Sequence, residues 1–211
     1  MQTTMTNAEL IELLNDKHAC VEARDWVNGQ SAQEAWEKCE RPDWLFWFCG
    51  TVGVQRKQLV LAACGCVRLA LKFVEEGEDR PRLCIEMTER WARGKATIEE
   101  VQQATQAANA YANSVAYTYA ATSYAAIAAV HIAATNDVNG TSNDVTIAVS
   151  SVVRAASFHA NTAITNTATA NAIAAKKQME RDCAAVIRKV ISFDEVLTII
   201  RQSYEAKPSR G

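Results

Sequence analysis

Charge is nearly absent from one long stretch of this chain. Residues 102–175 contain Asp137, Asp144 and Arg154 as their only charged side chains, among alanine, threonine, asparagine, serine and valine. Small side chains allow helices to approach closely, and missing charges remove the solvated face that a surface helix usually carries. The stretch therefore predicts closely packed helices, and it contains no recognisable catalytic chemistry.

The chain also has few residues that interrupt regular structure. Eight glycines and three prolines in 211 residues favour long helices over a turn-rich β-sheet protein. The longest apolar run, residues 59–67, is much shorter than the ~20 residues that cross a bilayer, so we predict no membrane partner. The first residues lack the basic and apolar regions of a secretory signal, so we expect a cytoplasmic protein.

Neither the charges nor the cysteines indicate a nucleic-acid or metal site. A net charge of −2 leaves no basic surplus to neutralise phosphates, so no nucleic-acid partner is expected. Seven cysteines, an odd number without a C-x-x-C pair, disfavour both a disulfide framework and a zinc site. We interpret them as reduced, buried, small apolar side chains.

Motifs of known catalytic sites are missing too, since no phosphate-binding glycine loop, G-x-S-x-G turn or H-E-x-x-H occurs. His131 and His159 would lie too far apart in a helical hairpin to share one site. Glu86 and Glu89 are interpreted as part of a face that nearby arginines salt-bridge, and not as an acid–base pair. We therefore predict no cofactor, no metal and no enzymatic activity. An enzymatic or small-molecule-binding bundle is the alternative, and it would need polar groups converging in one cleft.

Capping signals and apolar spacing predict helices along the whole chain. The capping-box sequences that start at Ser31, Thr97 and Ser192 mark three helix starts, and Pro42 fits the first turn of another helix. Residues 55–74 are predicted to form the strongest core helix, because apolar side chains recur there at steps of three and four. The fold class predicted from these signals is all-α, a helical bundle.

Two further helices have predicted caps or faces. We expect Asn7 to cap the first helix of the chain. Asp79 is expected to cap the helix that begins immediately after it. In that later helix, Leu83, Met87 and Trp91 are spaced by four residues and predict the face that is buried against the bundle.

The chain is predicted to form a single helical domain over residues 1–211. Short helices form the N-terminal part (1–96), a long antiparallel Ala-rich helical hairpin covers 97–191, and a short helix and tail end the chain (192–211). A cluster of turn-forming residues at 136–143 marks the bend of the hairpin. Since two neutral helices need something to cover them, the hairpin also predicts a homodimer or a tight hetero-complex.

Four segments of the chain, taken in order, carry a family resemblance. They are D-W-L-F-W from Asp43, Q-L-V-L-A-A-C-G-C-V-R-L-A-L from Gln58, G-E-D-R-P-R from Gly77 and E-R-W-A-R-G from Glu89. With the Ala-rich helical tail that follows, they resemble a bacterial and phage family of immunity-protein-like domains from toxin systems. The resemblance covers roughly residues 33–191. This chain departs from the family pattern in its asparagine and threonine content, where relatives tend to have alanine, aspartate and arginine.

The resemblance implies a helical protein that binds a toxin and neutralises it. Together with the missing catalytic motifs, it predicts a non-enzymatic protein-binding inhibitor whose partner is another protein. A phage-encoded antagonist of a bacterial defence system, such as an anti-CRISPR-like protein, would have the same composition and is the other interpretation.

Arginines and tryptophans are the candidate partner-binding residues. Arg80 and Arg82 lie at the positive end of a helix dipole, so each needs a carboxylate, either from residues 75–78 and neighbouring helices or from an acidic partner. The tryptophans fit either buried anchors of the bundle or hot spots of an interface. The predicted partner-binding set is Arg80, Arg82, Trp44, Trp47, Trp91 and Arg93.

Overall fold

The computed structural model of the protein describes residues 4–115, 150–157 and 168–205. All regular elements in these ranges are helical, which confirms the predicted all-α helical bundle. Residues 150–157 are helical as well, and Leu71–Phe73 form a short 3-10 helix. The α-helices are α1 (Asn7–Asp16), α2 (Val21–Trp26), α3 (Ala32–Lys38), α4 (Pro42–Val52), α5 (Arg56–Arg68), α6 (Arg80–Ala92), α7 (Ile98–Ser114), α8 (Ala168–Val190) and α9 (Phe193–Glu205).

Two predicted capping boxes form completely. At the start of α3, the Ser31 hydroxyl accepts from the Glu34 N–H (3.2 Å), and the Glu34 carboxylate accepts from the Ser31 N–H (3.0 Å). At the start of α7, Thr97 and Glu100 exchange the same two bonds at 3.2 and 2.7 Å. Pro42 is the first residue of α4, as its fixed φ and missing N–H favour.

The third box, at the start of α9, forms only in part. The Ser192 hydroxyl accepts from the Glu195 N–H at 3.3 Å, as predicted. The Glu195 carboxylate accepts instead from the side-chain amide of Gln58 on α5, at 2.6 Å. This residue therefore links the C-terminal helix to the core helix.

Thr6, and not Asn7, caps the first helix, so that prediction is wrong. The Thr6 hydroxyl accepts from the Glu9 N–H (3.3 Å), and the Glu9 carboxylate accepts from the Thr6 N–H (2.7 Å). The Asn7 side chain donates to the carbonyls of Val27 (2.8 Å) and Gln30 (2.6 Å), so it ties α1 to the loop before α3.

Helix α5 lies at the centre of the bundle, between α6 and α8. It ends at Arg68, earlier than the predicted residue 74, because the chain turns into the 3-10 helix. Helix α4 packs against α8, α9 and α5, while α7 packs against α6. The fully buried side chains of α5 are Val60, Ala62, Ala63, Cys64, Cys66 and Val67.

Helix α6 turns a different face to the core than the sequence predicted. Leu83 is 48% exposed, whereas Met87 and Trp91 are only half-buried. The core face carries Cys84, Ile85 and Thr88, and the Thr88 hydroxyl donates to the carbonyl of Cys84 at 2.7 Å. Since this bond satisfies the hydroxyl internally, threonine can occupy a core position. On the adjacent stripe Leu83 is left exposed, while Met87 and Trp91 pack only partly against the core.

The bend of the predicted hairpin, residues 136–143, lies outside the described residues. The described parts of its two arms pack mainly on other helices, α7 on α6 and α8 on α5 and α4. The predicted self-association depends on residues 102–175 and stays a prediction, as does the division of the chain into three parts. None of the helices in the described ranges is long and apolar enough to cross a membrane.

All seven cysteines are free, and six of them are buried, which confirms for these six the interpretation as small apolar side chains. Cys20 is exposed, so the predicted burial is wrong for this cysteine. Burial raises the pKa of the thiols of Cys39, Cys49, Cys64, Cys66 and Cys84. The pKa of Cys84 is raised to about 11, and a hydrogen bond with Thr105 partly opposes the effect of burial there.

Candidate functional site

The six predicted partner-binding residues divide between two helices. Helix α6 and the residue after it carry four of them, while α4 carries the other two. The two helices have different principal neighbours, since α6 packs against α5 and α7 whereas α4 packs against α8, α9 and α5. The α6 residues are Arg80, Arg82, Trp91 and Arg93, and the α4 residues are Trp44 and Trp47.

Arg80, the first residue of α6, is held by Glu78. Its guanidinium donates to both carboxylate oxygens of Glu78, through Nε at 2.7 Å and through Nη2, and its own N–H donates to the same carboxylate at 2.8 Å. The guanidinium also lies over the ring of Tyr111 on α7, 5.0 Å from the centroid. The side-chain bonds from Arg80 lower the pKa of Glu78, so a carboxylate offsets the cation at this helix start.

Arg82 joins two carboxylates of the same helix face. It donates to Asp79 at 3.0 Å and to Glu86 at 2.8 Å. The bonds to Glu86 and Asp79 raise the pKa of Arg82. Asp79 occupies the N-cap position of α6, as predicted, but its side chain makes no capping bond. Its carboxylate accepts from Arg82 instead.

Glu89 is the more enclosed of the two carboxylates of α6, with a side chain 13% exposed against 38% for Glu86. It accepts two bonds from Arg68 of α5, at 2.8 and 3.1 Å, and one from Arg93 at 3.2 Å. Burial raises the pKa of Glu89, but the bonds from these two arginines outweigh burial and leave the pKa lowered. Both Glu86 and Glu89 are thus ion-pair members, as the sequence indicated.

We call these contacts of Arg80, Arg82 and Glu89 the α6 ion-pair row. Arg90 is not part of it. Its guanidinium donates to the carbonyl of Lys95 at 3.4 Å, and it makes no ion pair within the described ranges.

A groove of about 380 Å³ runs beside this row, between α6 and α7. We call it the α6–α7 groove. Its apolar lining comes from Leu83 and Met87 of α6 and from Ala104 and Ala107 of α7. Sequence reasoning missed it, because Leu83 and Met87 were assigned to the core. The polar lining consists of Arg80, Glu86, Arg90, Glu100 and Gln103.

The tryptophans of α4 face a separate cavity of about 70 Å³, the tryptophan cavity. Trp44 contacts Trp26, with ring centroids 5.9 Å apart, and Arg41 lies 4.5 Å over the Trp44 ring. The cavity lacks the converging polar groups that an enzymatic or small-molecule site would need. Its lining is Leu10, Leu14, Ala23, Trp26, Val27, Ala32, Ala35, Trp36, Cys39, Trp44, Leu45, Trp47, Phe48 and Phe193.

Trp91 belongs to neither cavity lining, and Arg56 of α5 lies 5.6 Å over its ring. Across the described ranges, no three histidine, cysteine, aspartate or glutamate side chains gather as metal ligands would. His131 and His159 lie outside those ranges.

A family model described as Imm-5 like putative immunity protein matches residues 53–189. Curated proteins and solved structures give no significant match. The match confirms the family resemblance, although it begins after the D-W-L-F-W segment at Asp43. It includes the whole α6 ion-pair row and both walls of the α6–α7 groove, whereas every residue that lines the tryptophan cavity lies outside it.

Proposed function

The chain belongs to this family of Imm-5 like immunity proteins, and from that premise we propose that it is a non-enzymatic inhibitor that binds a toxin protein and neutralises it. The observation that carries the proposal is the α6 surface within the matched region, where arginines with fixed partners stand beside an exposed leucine. A family function is expected to depend on residues that the family region contains, which favours this surface over the tryptophan cavity.

The arrangement of the arginines suits protein recognition. Arginine is enriched at the energetic centres of interfaces, where its planar group forms paired hydrogen bonds. Binding costs free energy when long side chains must be ordered, and the carboxylates of Glu78, Glu86 and Glu89 already order Arg80, Arg82 and Arg93. The surface is therefore organised before a partner arrives.

Exposed Leu83 and half-buried Met87, beside the row, support the same proposal. Leu83 and Met87 lie one turn apart and line the groove next to Arg80 and Glu86. An apolar centre with a charged rim is the arrangement of a protein–protein interface.

Co-expression with the protein encoded by the neighbouring gene tests this function. We expect that protein to stop bacterial growth when it is expressed alone, and growth to return when the full chain is produced with it. The empty vector and an unrelated helical protein at equal abundance serve as controls. Growth arrest that persists at matched abundance of the intact chain would contradict the proposed function.

A further inference from the structure

We propose that the α6–α7 groove receives an amphipathic helix of the toxin, and that Arg90 pairs with a carboxylate on that helix. The inference rests on the proposed function and names the surface and the kind of segment that it binds. Three features of the groove carry it: its length, its apolar floor and the charge at one end.

The length of the groove fits a few turns of helix. Helices α6 and α7 are joined by the short link 93–97, so they are antiparallel neighbours with a continuous valley between them. The α6 residues that line the groove extend from Arg80 to Arg90, which corresponds to about 15 Å along the axis at ~1.5 Å per residue. A helix that docks through apolar positions i, i+4 and i+7 needs about 10 Å.

The apolar lining of the groove has larger side chains on α6 and small ones on α7. Leu83, which is 48% exposed, and Met87 form the ridge on α6. Ala104 and Ala107 form the opposite side on α7, where their single methyl groups leave room for another backbone. A methionine at such a surface adapts to the shape of an incoming side chain.

The charge at the groove distinguishes Arg90 from the other arginines. Arg80 is paired with Glu78, and Arg82 with Asp79 and Glu86. Arg90 is exposed, and among the described residues its one hydrogen-bond partner is the carbonyl of Lys95, at 3.4 Å.

Glu100 lines the groove at the same end as Arg90, and among the described residues no ion pair joins the two side chains. The Glu100 carboxylate accepts instead from the Thr97 N–H at 2.7 Å, in the cap of α7. A partner that supplies a carboxylate at this end would therefore pair with the Arg90 guanidinium.

Calorimetric titration of the full-length chain with the protein encoded by the neighbouring gene tests the groove. We expect Leu83→Asp to weaken binding about 100-fold, as for a central apolar anchor, and Arg90→Glu about 10-fold. Matched controls are Val21→Asp, an exposed apolar residue on α2, and Lys189→Glu, an exposed cation on α8, both expected to stay within about 3-fold of the wild type. Circular dichroism melting of each variant checks that it folds.

Arg90→Glu touches no core contact, so it tests the groove even if Leu83→Asp fails to fold. If the wild type binds, and Arg90→Glu and a folded Leu83→Asp bind with the same affinity, the groove is not the binding site. That outcome leaves the proposed function unaffected. No wild-type binding overturns both. Hydrogen exchange on the toxin should show one helix protected in the complex. Protection confined to strands or loops, or loss of self-association alone in Leu83→Asp, would contradict a toxin helix as the occupant.

Discussion

Gly65 of α5 lies so close to Val186 of α8 that a β-carbon at position 65 would be 2.6 Å from the Val186 Cγ1 atom. Real β-carbons do not approach other atoms so closely, and the branched valine side chain has little freedom to turn away. The pair therefore sets how near the two central helices lie, within the region that the family model matches.

Gly65→Ala is expected to lower the free energy of unfolding by about 1–3 kcal/mol, because the added methyl group overpacks the α5–α8 contact. Urea denaturation followed by circular dichroism measures the change. The double variant Gly65→Ala, Val186→Ala should recover part of the loss, because the smaller side chain removes the clash. A single variant as stable as the wild type would mean that the helices are not in this close contact.

Arg188→Ala is expected to destabilise the fold by about 1.5–3 kcal/mol, the range for hydrogen bonds with a charged group. Its guanidinium donates to the carbonyl of Cys39 at 2.7 Å and of Trp36 at 3.3 Å, so it closes the C-terminal end of α3. Lys189→Ala, at an exposed position next to it, serves as the control and should change stability by less than about 0.5 kcal/mol. Equal stabilities of the two variants would show that the Arg188 bonds to the end of α3 do not stabilise the fold.

Thiol labelling of the native protein should modify Cys20 rapidly and leave the other cysteines unmodified. Cys20 is exposed, whereas the other thiols are buried, and burial raises the pKa of Cys84 to about 11. Reaction with a chromogenic disulfide reagent, counted by mass spectrometry, measures this. Cys20→Ser should react only after denaturant is added, and fast labelling of that folded variant would contradict the burial.

The carboxyl group of Glu34 is expected to titrate with a pKa of about 2, lowered from the ordinary 4.5 chiefly by the bonds from the Ser31 backbone and hydroxyl and also by Lys38. Because the folded pKa is the lower one, the cap contributes its stability above pH 4.5 and loses it as the pH falls towards 2. Carbon-detected NMR titration of the side chain measures the midpoint. Ser31→Ala removes the hydroxyl but keeps the backbone N–H, so it should move the midpoint part of the way back towards 4.5. A wild-type midpoint already near 4.5 would contradict the capping box.

Local signals explain why much of the fold could be predicted. The caps at Ser31 and Thr97 depend on residues three positions apart, so the sequence contains both partners. The bond from Gln58 to Glu195 and the bonds from Arg188 to α3 join residues far apart in the chain, and no spacing rule indicates such pairs.

The helical spacing predicted for α6 is correct, but the face that the sequence analysis assigned to the core is not the most buried one. Leu83 and Met87 have helical spacing, but so do Cys84 and Thr88 on the adjacent face. Hydropathy favours the first pair, whereas the fold buries the second because small side chains fit closely against α5 and α7. The carboxylate partner of Arg80, Glu78, lies two residues away and could be predicted from the nearby sequence. The groove could not be predicted, because it exists only where Leu83 and Met87 face away from the core.

The proposed function requires that this chain act by docking and not by turnover. Titrating the chain into a fixed amount of the toxin, with the activity of the toxin as the readout, tests it most directly. We expect complete inhibition at one molecule of chain per molecule of toxin, and recovery of an active toxin of unchanged mass after the complex is dissociated. Inactivation of many toxin molecules by one molecule of chain, or a covalent change in the toxin, would contradict it.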